Sequence, residues 1–489
     1  MRKPEVTYLL GVDIGTSGIK VGLFDLEGRS IHQGSAAYAT ESPHPGWAEQ
    51  DPRAWWSACQ SLISETTSGI PSELIQGICI VGLSPSLVCV NADGEVVRSA
   101  PIWSDNRAAE ESSEISERVG PGGAFSLLPY MLWLKRHEPR NYSRTRYALD
   151  SFAYLNYKLT GRPNRVRAAF ELPSREHIGG LGLNPDLLPN RVYNTGALIG
   201  PVLPNIAAEL GLAPGTPVIA GAVDAFAGWI GTGTVTKGTL CNTVGTSDGV
   251  AVVCDRQLLD GLGRVHSVPH ITGTDWIVGG AMSSGGMMLD WFVRNFYGPD
   301  ANAYEAALSE TRSVPPGACG LVALPYLAGE RSPITDPNAR AVFFGISSRH
   351  SRAHFTRAVM ESVAFAVRDV ADVIVELGAQ VHEIRLAGGG ARNQLWNQIK
   401  ADVLGRQVLA PEVLDSSLLG AAIIAASGTG KCANLISAAK SMVKFKATFG
   451  PNPDNHEIYN RLFDLYKNLY GQLKIQFAEL SEITKQLPH

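Results

Sequence analysis

Val12-Asp13-Ile14-Gly15-Thr16-Ser17-Gly18-Ile19-Lys20 decides the architecture, because its pattern recurs at Val244-Gly245-Thr246-Ser247, with Gly245 lying 230 positions after Gly15. The first turn is preceded by the apolar run Val6 to Val12 and followed by Ile19 to Phe24; the second is followed by Val250 to Val253. Near-continuous apolar runs of this length are the pattern of strands buried on both faces. A strand, a Gly-Thr-Ser turn and a returning strand, repeated at half the chain length, predict an internal duplication. We expect two related α/β domains, residues 1–235 and 236–489. A nucleotide gripped by both hairpins would sit in a cleft between the domains, a common ligand position.

Working outward, Asp25-Leu26-Glu27-Gly28 reads as a turn and Arg29 to Tyr38 as a third strand. Asp51-Pro52 opens a helix, with an N-cap followed by proline at N1, and carries Trp55, Cys59, Leu62 and Ile63 along one side. Strand patterns return at Leu74 to Val81 and Leu87 to Val90, and helical ones dominate from Arg107 to Leu159. Strands alternating with helices make the class α/β.

The chain has 489 residues, 45% hydrophobic and 18% charged, enough apolar side chain for real cores. Its formal charge of −4, with both signs scattered, gives no electrostatic footprint for nucleic acid or anionic lipid. Seven cysteines, far apart and never in a CxxC pair, read as small buried hydrophobes in a reducing compartment. Asp13 interrupts the first apolar run too early for a signal peptide, and Leu418 to Ala426 is far short of a membrane span. A cytoplasmic location is the expectation.

Both Gly-Thr-Ser turns present backbone N–H groups and hydroxyls without bulky side chains, which suits phosphate oxygens. Asp13 stands at the first turn, and Thr243 at the matching place of the second. One carboxylate beside two phosphate turns is what a single Mg²⁺ needs. Either turn alone reads equally as a tight hairpin that Asp13 caps; the matched pair points to phosphate. Asp224, in Gly221-Ala222-Val223-Asp224, follows a strand-like run and has two readings, general base and helix N-cap. Gly388-Gly389-Gly390-Ala391-Arg392-Asn393 lies at a strand-to-helix switch, where glycines let a flat ring rest on backbone. There is no Walker A sequence and no GxGxxG. His266 and His270 are four apart, but Pro269 between them argues against a helix and a metal pair.

These residues resemble, nearly end to end, the FGGY family of carbohydrate kinases. The resemblance runs through Asp13 to Ser17 with Lys20, Gly46 to Pro52, Trp103-Ser104-Asp105-Asn106-Arg107, Gly221 to Asp224 and Gly245 to Ser247. It continues in Gly329-Glu330-Arg331-Ser332-Pro333, Gly388 to Asn393 and Ser416-Ser417-Leu418-Leu419-Gly420. It implies two ribonuclease H-like domains of the actin-like ATPase superfamily, ATP in the cleft, Mg²⁺, and sugar held mainly by the N-terminal domain. It further implies Asp224 as general base and Asp13 at the metal. Gly15, Thr16, Ser17, Lys20, Gly245, Thr246, Ser247, Gly389, Gly390, Ala391 and Asn393 would then bind the nucleotide. Ser84, Pro85, Ser86, Trp103, Asp105 and Arg107 are the expected sugar contacts.

The Trp-x-Asp-x-Arg stretch is shared with the family's ketose kinases, xylulokinases especially, so a pentulose is the leading substrate. Xylulokinases carry a Met-His pair in the sugar loop. Here that loop, Val81 to Leu87, has no histidine, and Ala225 stands where Asn or Gln commonly follows the base. The same chemistry on another sugar, a polyol or an aldonate is the alternative. An actin-like or chaperone-like ATPase without a sugar is the rival from another class. The expected partner is a small-molecule sugar, with neither nucleic acid nor membrane, and a homodimer is compatible with the sequence.

Overall fold

The protein is described by a computed structural model covering residues 6–167, 172–300 and 302–487. The chain divides into two compact units. The first comprises Met1–Gly233, Ile271–Gly273 and Asp415–Val443; the second holds Thr234–His270, Thr274–Leu414 and Lys444–His489.

In the first unit, Tyr8–Ile14, Gly18–Asp25 and Ser30–Ala37 form an antiparallel meander. Ile75–Gly82 and Pro217–Val223 extend the sheet in parallel from Tyr8–Ile14, and Leu198–Pro201 closes it antiparallel. Short turns suffice for the meander, whereas the parallel strands need crossovers, the first supplied by the Pro52–Thr67 helix. Asp51 caps that helix by accepting from Arg53 N–H, and Trp55, Cys59, Leu62 and Ile63 are its buried face.

The second unit repeats the scheme. Thr239–Val244, Asp248–Cys254 and Trp276–Met282 are the antiparallel strands, with His266–Pro269 added outside them. Glu383–Ala387 and Gln407–Pro411 follow in parallel, and Phe445–Phe449 closes the sheet antiparallel. The duplication read from two turns therefore extends to strand order and direction. His270 is buried and its ring bonds the Thr234 carbonyl. Among the described residues no helix is long and apolar enough to cross a membrane.

Three glycines set the geometry around the first turn. The Ser416–Gly428 helix packs on Tyr8–Ile14, on Ile75–Gly82 and on the Asp224–Gly231 helix. A Cβ on Gly420 would lie 1.9 Å from the Ala227 carbonyl oxygen, one on Gly231 1.8 Å from that of Ser416, and one on Gly11 2.6 Å from that of Leu418. Only hydrogen at these positions permits that approach. Its result is that the start of the Ser416–Gly428 helix arrives beside Asp13.

Candidate active site

Asp13 is the penultimate residue of its strand and lies opposite Lys20 in the register. Its Oδ2 accepts from Ser417 Oγ, while Oδ1 is buried with no hydrogen-bond partner. Burial, and after it the neighbouring Asp224 carboxylate, pushes Asp13 up to about 7; Ser417 and Lys20 pull the other way. Lys20 is ion-paired with Asp415, one residue before the same helix. Asp224 begins its helix where the Pro217–Val223 strand ends. It takes no helix cap partner beyond its own neighbour's amide, Ala225 N–H at 2.6 Å, and burial raises its pKa. Two buried carboxylates thus lie close enough for the charge of one to raise the other, and one has an orphaned oxygen. A divalent cation fits this donor set, because hard oxygen ligands of like charge are stabilised by a shared cation.

The first turn is held by its surroundings. Tyr38 donates to the Gly15 carbonyl, Gln50 Nε2 to that of Thr16 at 2.6 Å, and half-exposed Trp103 donates Nε1–H to Thr16 Oγ1 at 2.9 Å. With the Gly15 and Thr16 carbonyls, the Gly15 amide and the Thr16 hydroxyl engaged, the turn's remaining groups are the Thr16 and Ser17 amides and the Ser17 hydroxyl. The second turn is one residue shorter between paired positions: Ile14 pairs with Ile19, but Val244 pairs with Asp248. Gly245, Thr246 and Ser247 are all exposed.

Behind that second turn lies a buried set which the sequence reading missed. Lys400 donates Nζ to Asn242 Oδ1 at 2.5 Å and stands 3.9 Å from Asp248, all three fully or nearly fully out of solvent. Burial lowers the Lys400 pKa and raises that of Asp248, and each opposes the other's shift. Gly388 and Gly390 are required by packing: a Cβ on either would meet Val244, at 2.6 Å from its carbonyl oxygen and 2.2 Å from its side chain respectively. Gly389 instead faces open space. Ala391 is buried, and Asn393 caps the Gln394–Leu404 helix by accepting from Trp396 N–H.

The residues expected at the sugar divide into two groups. Ser84 and Pro85 line a cavity of about 400 Å³, whose wall also includes Asp150, Arg165, Val223 and Phe226. Ser86 does not line it; its buried Oγ accepts from Ser151 N–H at 3.0 Å. Asp105 and Arg107 are likewise withdrawn, their side chains wholly out of solvent and ion-paired at 2.6 Å. Asp105 also accepts from Ala48 N–H, and Arg107 bonds Glu49 at 2.6 Å with its guanidinium 3.6 Å over the Trp47 ring. The Gly46–Pro52 and Trp103–Arg107 stretches are therefore two halves of one buried network. Trp103 stays half-exposed beside the first turn, and Asn106 is exposed as well. Ser417, Asp415, Tyr38 and Asp150 had no assigned role in the sequence. Ser417 belonged to a quoted motif, but nothing local indicated that it would bond a residue 404 positions away.

Comparison with known proteins identifies the family. Residues 8–168 match the model of the FGGY carbohydrate kinase N-terminal domain, and residues 240–429 that of its C-terminal domain. The chain belongs to the FGGY family of carbohydrate kinases, and is a sugar kinase with ATP as co-substrate. It is 32% identical to the xylulose kinase of Bacillus subtilis (strain 168), over 96% of this chain and 97% of that protein. It is 26% identical to the gluconokinase of the same strain, over 98% and 99%. The crystal structure of xylulose kinase from Rhodospirillum rubrum superposes with a TM-score of 0.84 at 28% identity, covering 96% of this chain and all of that one. The fold is the two-domain, actin-like ATPase fold of those kinases.

Proposed function

We propose that the protein transfers the γ-phosphoryl group of ATP to a terminal hydroxyl of a ketopentose, with D-xylulose the leading substrate. The observation that carries this reading is the electrostatically coupled carboxylates Asp13 and Asp224, the first at the Gly15-Thr16-Ser17 turn. Relatives named xylulose kinase, matched over nearly their whole length, support the choice of sugar.

Asp224 accepts the hydroxyl proton as the sugar oxygen attacks the γ-phosphorus; the new O–P bond forms, the bond to the β-phosphate oxygen breaks, and ADP leaves. Its raised pKa makes it a better proton acceptor than an ordinary aspartate. Asp13, whose carboxylate has an oxygen without a protein partner, would hold Mg²⁺, and Ser417 fixes the orientation of that carboxylate. The metal supplies charge neutralisation for the phosphates, a large part of such a reaction because the protein's work is mainly positioning. In the first unit the Gly15-Thr16-Ser17 turn, and in the second the exposed Gly245-Thr246-Ser247 turn and the open backbone at Gly389, are the groups we assign to the nucleotide.

ATP consumption measured against a panel of ketoses, polyols and aldonates tests the reading. Turnover stimulated selectively by a pentulose, with one sugar phosphate formed per ADP, is the expected result. An ATPase indifferent to every sugar would overturn it.

A further inference from the structure

We infer that Asp150 is a specificity-determining residue of the sugar cavity, reading hydroxyls of an uncharged sugar and discriminating against sugar acids. The inference rests on the sugar-kinase reading and deepens it.

Asp150 occupies the N-cap position of the Ser151–Thr160 helix, yet its side chain makes no cap hydrogen bond. The Ser151 N–H is taken instead by Ser86 Oγ, and Ser151 Oγ donates to the Leu83 carbonyl at 2.8 Å. The helix start is thereby laced to the sugar loop through Ser151, without drawing the Asp150 carboxylate into the cap. Asp150 is left on the cavity wall, where it accepts from Ser84 Oγ at 3.3 Å. Val223, the neighbour of Asp224, belongs to the same wall, so a sugar whose end reaches the base passes Asp150.

Much of the remaining wall is apolar, with Phe125, Val166, Leu172 and Val192 among its members. Such a wall cannot satisfy a polyol, whose hydroxyls must find partners in the few polar groups present. Asp150 is an ionised acceptor with lone pairs to spare beyond Ser84, and bonds from hydroxyls to a carboxylate are among the stronger kind. Burial raises its pKa to about 6, with Ser84, Ser86 and Arg165 opposing, so it is mostly ionised at neutral pH.

The charge balance supplies the second part. Arg165 lies on the same wall, donates Nε–H to the Pro189 carbonyl and faces Asp150 as its countercharge. Arg167, the other cation of the wall, is engaged within the protein. A sugar acid entering here meets the Asp150 carboxylate, which repels it and whose charge offsets that of Arg165. Removing that carboxylate would free Arg165 to receive the acid.

The test is kcat/KM for D-xylulose, D-ribulose and D-gluconate in the natural protein and in Asp150→Asn, Asp150→Glu and Ser84→Ala. Asp150→Asn should lower ketose kcat/KM by about 10- to 100-fold, mainly through KM, the loss expected for a charged hydrogen-bond acceptor. Gluconate should lose less or gain, so the ketose-to-gluconate ratio falls by about tenfold or more. Asp150→Glu keeps the charge and should keep that ratio while reordering the ketoses; Ser84→Ala should weaken ketoses alone. Sugar affinity measured by calorimetry in the Asp224→Asn background, where transfer is suppressed, should show the same ordering. An equal fall for all three sugars, or an unchanged ratio in a folded Asp150→Asn protein, overturns the inference. If Asp150→Asn does not fold, a ratio unmoved in Ser84→Ala together with an unaltered ketose ranking in Asp150→Glu overturns it. A natural protein inert to every sugar is a different result, and would remove the kinase reading beneath it.

Discussion

Asp224→Asn removes one proton acceptor and changes almost nothing else, because the side chain's recorded partner is the adjacent amide. The variant should fold and bind both substrates while kcat falls by about 10²–10⁴-fold or more. Near-normal phosphoryl transfer would assign the base elsewhere. Asp13→Ala deletes the orphaned oxygen, so the Mg²⁺ concentration needed for half-maximal rate should rise and kcat should fall, with sugar affinity little altered. A metal titration that superposes on that of the natural protein would return Asp13 to a turn-capping role. At this scale the sequence pointed to residues by their own local pattern, as at Asp13 and Asp224, whose roles remain proposals. It was silent where the role comes from a distant partner, as for Ser417 against Asp13 and Lys400 against Asn242 and Asp248.

Elements here are tied together by features that substitution can break singly. Gly420→Ala would put a methyl against the Ala227 carbonyl, and the helix must shift to relieve it. A loss of about 1–3 kcal/mol in stability is expected, with a drop in kcat as Ser417 moves from Asp13. Unchanged denaturant midpoint and rate would show that the contact is easily relieved. Asp105→Ala attacks a different joint, leaving Arg107 buried with one carboxylate fewer. That should cost about 3–5 kcal/mol, seen as a lowered Tm, while the ranking of sugars stays as it was. A changed ranking at constant Tm would restore Asp105 to the sugar. The Trp-x-Asp-x-Arg spacing was legible as a motif, but its use was not. A Trp, an Asp and an Arg serve equally as sugar contacts or as a buried ion pair, and only the position of Glu49 and Trp47 decides. The duplication, in contrast, was legible from two turns, and the matching strand order of the two sheets extends it.

For the molecule as a whole, buried carboxyls set the response to pH. Glu330 is 4% exposed and accepts from the Ser283 and Arg331 amides, with the Arg331 charge nearby; burial nonetheless raises it from about 4.5 to about 7. The native state therefore holds a proton that the unfolded chain has released between those values, and stability falls as pH rises through that window. Asp369, raised to about 6, acts in the same direction. Glu330→Gln should flatten this dependence by up to about 3 kcal/mol between pH 5 and pH 8. Urea midpoints at the two pH values measure it, and parallel slopes in the two proteins would refute it. The whole-molecule division was only partly readable, because a change of apolar pattern near residues 230–240 marks where one sheet ends but not where the chain returns. The return of Asp415–Val443 to the first unit has a consequence for biosynthesis. A ribosome releases the first sheet early, but the helix that covers it and delivers Ser417 emerges only after most of the second unit has been made. Until then the nascent chain carries an uncovered apolar sheet face, the kind of surface that holdase chaperones bind.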